Sequence, residues 1–144
     1  MKRFITYVVI ILIVFSGFPS AVSAAGKGKK ANKVDWNPVI EAIIQVESGG
    51  QRYAKHGNSV GVMQITPILV AECNQILKRK KSKKRYKLSD RFSIAKSKEM
   101  FLLIQSVHNP TNNIEHAIRS WNGGTHYSMK KTQRYFEKVM RAMK

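Results

Sequence analysis

Prolines and paired glycines punctuate this chain so closely that only short helices fit between them. Asn37-Pro38 and Thr66-Pro67 have the form of a polar cap followed by a proline in the first helical turn. Gly49-Gly50 and Gly123-Gly124 act as stops, and Asn109-Pro110 forces another break. Between these marks apolar residues recur at helical spacing. They are Ile40, Ile43 and Ile44, then Leu69, Cys73 and Ile76, and later Ile114, Ala117, Ile118 and Trp121. Ser93 caps a further stretch from Ile94 to Val107, and Tyr135, Phe136, Val139 and Met140 share one face of a last segment. Gln51 to Ile65 lacks helical period and reads as a loop or short ribbon. The pattern predicts an all-α chain, α+β at most through that minor ribbon. It is a compact domain of about five helices that begins at Asn37 as first N-cap.

Composition narrows the function classes. Among 144 residues, 26 Lys and Arg face 8 Asp and Glu, a formal charge of +18. A hydrophobic share of 43% is too high for a disordered polycation. A single cysteine, Cys73, excludes an internal disulfide framework and a multi-cysteine zinc site. Met1-Lys2-Arg3 leads into Phe4–Phe15, apolar except for Thr6, and then into Gly17, Pro19 and the small residues Ala21 to Ala25. That is the layout of a secretory signal, and the run is shorter than the roughly 20 apolar residues of a spanning helix. The expected organisation is a signal peptide over 1–24, a flexible basic leader over 25–36 and the folded domain over 37–144. Such a protein is exported to the periplasm or cell envelope, or secreted.

Lys78 to Lys87 holds eight basic residues, interrupted by Ser82 and Tyr86. Like charges at that density repel and cannot be buried together, so the run should be an exposed loop or a frayed helix end. It is a candidate surface for anionic envelope polymers. Aromatic residues other than Tyr86 are not interleaved through it, which, with export, argues against a specific nucleic-acid partner.

With so few carboxylates, an acid or base can be sought one residue at a time. Asp35, Glu115 and Glu137 sit in polar surroundings, and Glu41 faces away from Ile40 and Ile44. Glu72 and Glu99 have lysines nearby, and Asp90 follows the basic run as a cap or ion-pair partner. Glu47 differs. Three, four and seven places before it stand Ile44, Ile43 and Ile40, so it lies on the apolar face, with Ser48-Gly49-Gly50 leaving room beside it. Partial burial disfavours the anion, and a carboxyl kept protonated near neutrality is what a general acid requires. The same spacing accommodates a Glu47 turned to solvent, so periodicity alone leaves both placements open.

Two further segments carry polar chemistry beside apolar surface. In Gly61-Val62-Met63-Gln64-Ile65-Thr66-Pro67 the glycine allows close approach of backbone to a ligand, and Gln64 both donates and accepts hydrogen bonds. In Ser120-Trp121-Asn122-Gly123-Gly124 the indole offers a flat face to a sugar ring and Asn122 an amide to hydroxyl or acetamido groups. A buried turn and an ordinary helix end would explain either segment alone.

In order, Glu47-Ser48, Gly61-Val62-Met63-Gln64-Ile65, Trp121-Asn122-Gly123-Gly124 and then Thr132 and Tyr135 resemble the lytic transglycosylase SLT domain. That family has a lysozyme-like helical fold and cleaves the glycan strands of peptidoglycan. The resemblance runs from about Pro38 to Met140. It implies that Glu47 is the single acid/base, that Met63 and Gln64 line the cleft and that Asn122 lies near the cleaved sugar. Ser48, Ser59, Trp121 and Tyr135 complete the implied substrate-binding set. Trp121 stands where the family usually has tyrosine, and Val62 where it has leucine. The family's loop serine, which touches the catalytic carboxylate, has no clear match in Tyr53 to Ser59, where Ser59 and His56 are both open as substitutes.

The implied reaction is non-hydrolytic cleavage of the β-1,4 bond between N-acetylmuramic acid and N-acetylglucosamine, leaving a 1,6-anhydro product. The resemblance implies no metal and no cofactor. A lysozyme-type hydrolase is the nearest rival, and would want a second carboxylate about 5–9.5 Å from the first. Asp90 and Glu99 are available for it, without a motif. A catalytically weak cationic envelope-binding protein is the rival from another class. The implied partner is peptidoglycan, and the resemblance also permits service to a conjugation or secretion machine.

Overall fold

The computed structural model describes residues 34–144, so the expected signal peptide and most of the leader lie outside the described residues. Helix α1 spans Asn37–Ser48, and its start differs from expectation. Asn37 is already helical, and the Asp35 carboxylate accepts its N–H at 3.0 Å. Pro38 has no N–H to satisfy, and the Asp35 side chain, one place before Trp36, is the acceptor for that of Asn37. Trp36, expected in the flexible leader, instead packs edge-on against Phe101 with ring centroids 5.8 Å apart. At the other end Gly49 takes φ +61° and its N–H returns to the Gln45 carbonyl, a left-handed stop.

The next segment is the minor ribbon. Strands β1 (Lys55–His56) and β2 (Ser59–Val60) pair antiparallel, and an isolated Val60–Ile65 bridge closes the loop that follows. Gly61, at φ +81°, holds the ribbon against the 3-10 turn Leu88–Phe92. A Cβ there would lie 1.9 Å from the Arg91 carbonyl oxygen, so no larger residue fits.

Four more helices follow, each capped by a side chain that accepts a first-turn N–H. Thr66 caps α2 (Pro67–Arg79), and Ser93 caps α3 (Ile94–His108). Asn113 caps α4 (Ile114–Gly123), and Ser128 caps α5 (Met129–Ala142). Helix α1 packs on α4 and α5, α4 on α5, and α2 on α3. Ile40, Ile43, Ile65, Ile76, Met100, Phe101 and Ile118 are fully buried at the centre, where Phe101 also tilts against Trp121 at 5.2 Å. The ring edges add about 0.5–1.5 kcal/mol per pair beyond burial alone. The described part is thus a compact lysozyme-like helical domain of five α-helices with a two-stranded ribbon.

Helix α5 departs from the expected face. Met140 is 36% exposed, whereas Thr132 and Val139 are buried and Tyr135, Phe136 and Met143 pack against the core. A turn nearer the start, α5 is held by a charged residue that periodicity did not single out. Arg119 of α4 is 2% exposed. It donates to Glu115 at 2.7 Å, to the Met129 carbonyl and Thr132 Oγ1 at 3.1 Å, and to Gln133 Oε1 at 2.7 Å. Its guanidinium lies 4.4 Å from the Phe136 ring centroid. Five donors in a rigid fork suit a buried corner that faces this many acceptors.

The basic run is the last turn of α2 and the loop after it. All eight of its Lys and Arg residues are exposed. Tyr86 is the exception within the run. It is buried, and its backbone exchanges hydrogen bonds with the Asn74 amide at 2.8 and 2.9 Å.

Candidate active site

The end of α1 puts Glu47 at the floor of a cleft of about 460 Å³. His56 and Ser59 come from the ribbon, Gln64 from the loop after it, Thr66 and Leu69 from the start of α2, and Trp121 and Asn122 from the end of α4. Residues far apart in sequence therefore converge because α1, α2 and α4 each bring an end to one place.

Glu47 is half-buried, and the Tyr135 hydroxyl donates to its Oε1 at 2.7 Å. Burial raises its pKa above the ordinary 4.5. The Tyr135 hydrogen bond and the charge of His56 pull the other way. Burial beside this carboxylate pushes the Tyr135 phenol far up, so it acts as a donor throughout. The outcome is a carboxyl that holds its proton more firmly than a surface glutamate and is fixed in one orientation.

Gln64 is built into the wall at some cost. Its backbone takes φ 52°, a left-handed conformation that costs a non-glycine residue roughly 1–2 kcal/mol. Its amide nitrogen donates to the Gly61 carbonyl at 2.8 Å and to the Ala54 carbonyl at 3.3 Å. Those bonds leave Oε1 facing His56 Nδ1 at 2.8 Å, so Nδ1 carries a proton and donates. The strain is thus held by three bonds in a residue whose side chain lines the cleft.

Of the expected site residues, Glu47, Ser59, Gln64, Trp121 and Asn122 line the cleft, and Tyr135 reaches it through Glu47. Two stand elsewhere. The Met63 side chain is fully buried in the core cluster, with Val62 and Ile65 on either side of the turn. Only its carbonyl takes part, accepting from Trp121 Nε1 at 3.3 Å. Ser48 Oγ donates to the Val62 carbonyl at 2.9 Å and lies 3.3 Å from the Ile44 carbonyl, so it ties α1 to the loop behind the cleft. His56 and Ser59 both line the cleft, and the bond to Glu47 comes from Tyr135. Leu69, expected in the core, and Thr66, expected only as a cap, add to the wall.

Asp90 and Glu99 do not line the cleft. Lys96 holds the Asp90 carboxyl below its usual range at 2.7 Å, and Lys84 does the same for Glu99. An adjoining hollow of about 320 Å³ shares Thr66, Leu69 and Trp121 and contains Glu72. A Glu72 oxygen there lies 2.7 Å from His108 Nε2, out of hydrogen-bond alignment. Glu47 is the one carboxylate lining the main cleft among the described residues.

The fold and site define a small lysozyme-like domain with one half-buried, tyrosine-held carboxyl in a polar cleft. The Transglycosylase SLT domain family model matches residues 23–143, and the chain belongs to that family. Membership carries peptidoglycan cleavage of the lytic-transglycosylase type as its general activity. No curated protein and no solved structure matches the chain.

Proposed function

We propose that the protein is a lytic transglycosylase that cuts the β-1,4 bond between N-acetylmuramic acid and N-acetylglucosamine with Glu47 as its acid and then its base. The observation that carries this reading is the solitary Glu47 carboxyl, its pKa raised by burial and its orientation held by Tyr135. Protonated Glu47 gives its proton to the leaving glycosidic oxygen. The substrate's own acetamido group stabilises the positive sugar, so no second carboxylate is required. Glu47, now ionised, takes the proton of the sugar's C6 hydroxyl as that oxygen closes onto the anomeric carbon. The proton count balances, and water is not consumed.

The remaining cleft residues take binding roles. Trp121 stacks on a sugar face, Asn122 and Gln64 bond to acetamido or hydroxyl groups, and Ser59 contacts the strand from the ribbon. Tyr135 acts as a positioning residue, since its hydroxyl is spent on Glu47. The reading includes export to the cell envelope, supported by the signal-like residues of 1–24. It also includes attachment to anionic envelope polymers through Lys78 to Lys87. Helix α2 runs from the cleft wall at its start to these lysines at its end, a rise of about 18 Å at 1.5 Å per residue. The run therefore acts through its field and not through the bond being cut.

Cleavage of soluble strands in heavy-oxygen water tests the chemistry. The proposal expects no label in the products. Label on the new sugar end would mark a hydrolase and would direct attention to Glu72 as a second carboxylate.

A further inference from the structure

Glu47 is shared by two hollows. Beyond the cleft already described, Glu47, Asn122 and Tyr135 also border a hollow of about 410 Å³ on the α5 side, whose outer wall carries Lys131, Arg134 and Lys138. At spacings of three and four residues these cations fall on one helical face, a stripe of about 10 Å at 1.5 Å per residue.

The two sides of Glu47 differ in charge. No Lys or Arg lines the main cleft. The α5 hollow has three, and none of them is ion-paired among the described residues. Elsewhere in the domain Lys84, Lys96, Lys98 and Arg119 have carboxylate partners, and the unpaired cations of the basic run line neither the cleft nor this hollow, so the three of α5 are set apart by the concavity they share beside Glu47. Three unpaired like charges around one concavity repel one another, and an anion placed among them relieves that repulsion.

We infer that the hollow bordered by Lys131, Arg134 and Lys138 is a subsite for the carboxylates of the peptide stem carried by the strand being cut. The inference rests on the glycan-cleaving reading above. In a stem-bearing strand the lactyl carboxyl of the muramic acid is consumed in its amide to the peptide, so the sugars are neutral and the negative charge lies on the stem. A neutral sugar row in the main cleft and an anionic stem in the α5 hollow match the charge on each side of Glu47. Arg134 can take a carboxylate in a two-point fork, with the lysines as flanking point charges. The subsite makes the enzyme selective for strands whose stems keep free carboxylates.

The test compares two soluble, uncrosslinked substrates: strands bearing tetrapeptide stems, and the same strands with their carboxylates converted to primary amides. Wild-type protein should show kcat/KM on the order of tenfold higher on the carboxylate form, as expected for a few partly exposed ion pairs. In Lys131→Gln/Arg134→Gln/Lys138→Gln that ratio should fall to about one. Arg134→Gln alone should lower it in part, and serves if the triple variant does not fold by its thermal transition. As a control for general attraction to a basic protein, Lys130→Gln/Arg141→Gln/Lys144→Gln removes the same charge from exposed positions that line neither the hollow nor the cleft and should leave the ratio as in wild type. Equal wild-type rates on both substrates, a ratio that persists in the folded α5 variants, or an equal fall in the control, each overturns the subsite. Wild-type protein that cuts neither strand overturns the glycan-cleaving reading beneath it.

Discussion

The Tyr135 hydroxyl donates to Glu47 Oε1 at 2.7 Å across 88 residues of sequence, joining the last turn of α1 to the middle of α5. Through this one bond, everything that places α5 also places the acid. Arg119 is one such influence, since it grips Met129, Thr132 and Gln133 in the first half of α5.

Removing the Tyr135 bond separates orientation from acidity. The hydrogen bond favours the ionised carboxyl, so Tyr135→Phe raises the Glu47 pKa further. The alkaline limb of the kcat/KM profile should move to higher pH, while the maximum falls about tenfold because the acid is less well aligned. An unmoved or lowered limb would show that the phenol does not contact Glu47 during turnover.

Glu47→Gln should cost at least about 10²-fold in glycan cleavage with the fold retained. It should also stabilise the domain at neutral pH. Burial raises the Glu47 pKa, so the fold prefers the protonated form. Its stabilising share is complete below the ordinary 4.5 and is lost as pH rises through the higher folded value. The thermal midpoint of Glu47→Gln should therefore exceed wild type at pH 8 and converge with it at pH 4. A gap that widens toward low pH would contradict the assigned shift.

Arg119 and Glu115 form one ion pair with unequal ends. The arginine is buried among three further acceptors, whereas the Glu115 side chain is 45% exposed. Arg119→Met should destabilise by about 2–4 kcal/mol, because buried acceptors lose their donor. Glu115→Gln should cost less than about 1 kcal/mol. Urea unfolding of the two variants checks the asymmetry, and equal losses would refute it.

Gly61→Ala puts a Cβ where the Arg91 carbonyl oxygen already sits. The ribbon must part from the 3-10 turn, at a cost of about 2 kcal/mol or more. Because Gly61 also accepts from Gln64, the cleft wall should loosen with it. Equilibrium unfolding gives the cost, and a change under about 0.5 kcal/mol would show that the ribbon does not press on that turn.

What could be read from the chain follows the range of the forces involved. Pro67, Gly49, Ser93 and the Ile40–Ile43–Ile44 face act within a turn or two of their neighbours, and their helices form where the spacing predicts. Glu47 on that face was visible for the same reason. Met63 was not, because an apolar residue beside a polar one suits core and cleft alike, and only the packing of the whole loop decides between them. Nothing in the spacing singles out Arg119, a charged residue four places after Glu115. Its burial depends on α5 closing over it, which no local pattern records. Lys131, Arg134 and Lys138 carry no motif of their own, and it is the hollow they border that brings them together beside Glu47.

The central claim is that Glu47 first gives a proton and then takes one from the substrate's own C6 hydroxyl. Mass spectrometry of the muropeptides released from purified sacculi tests it most directly. The account predicts ends in the 1,6-anhydro form, each one water lighter than the hydrolytic product, and their disappearance with Glu47→Gln. Reducing ends from wild-type protein would contradict it.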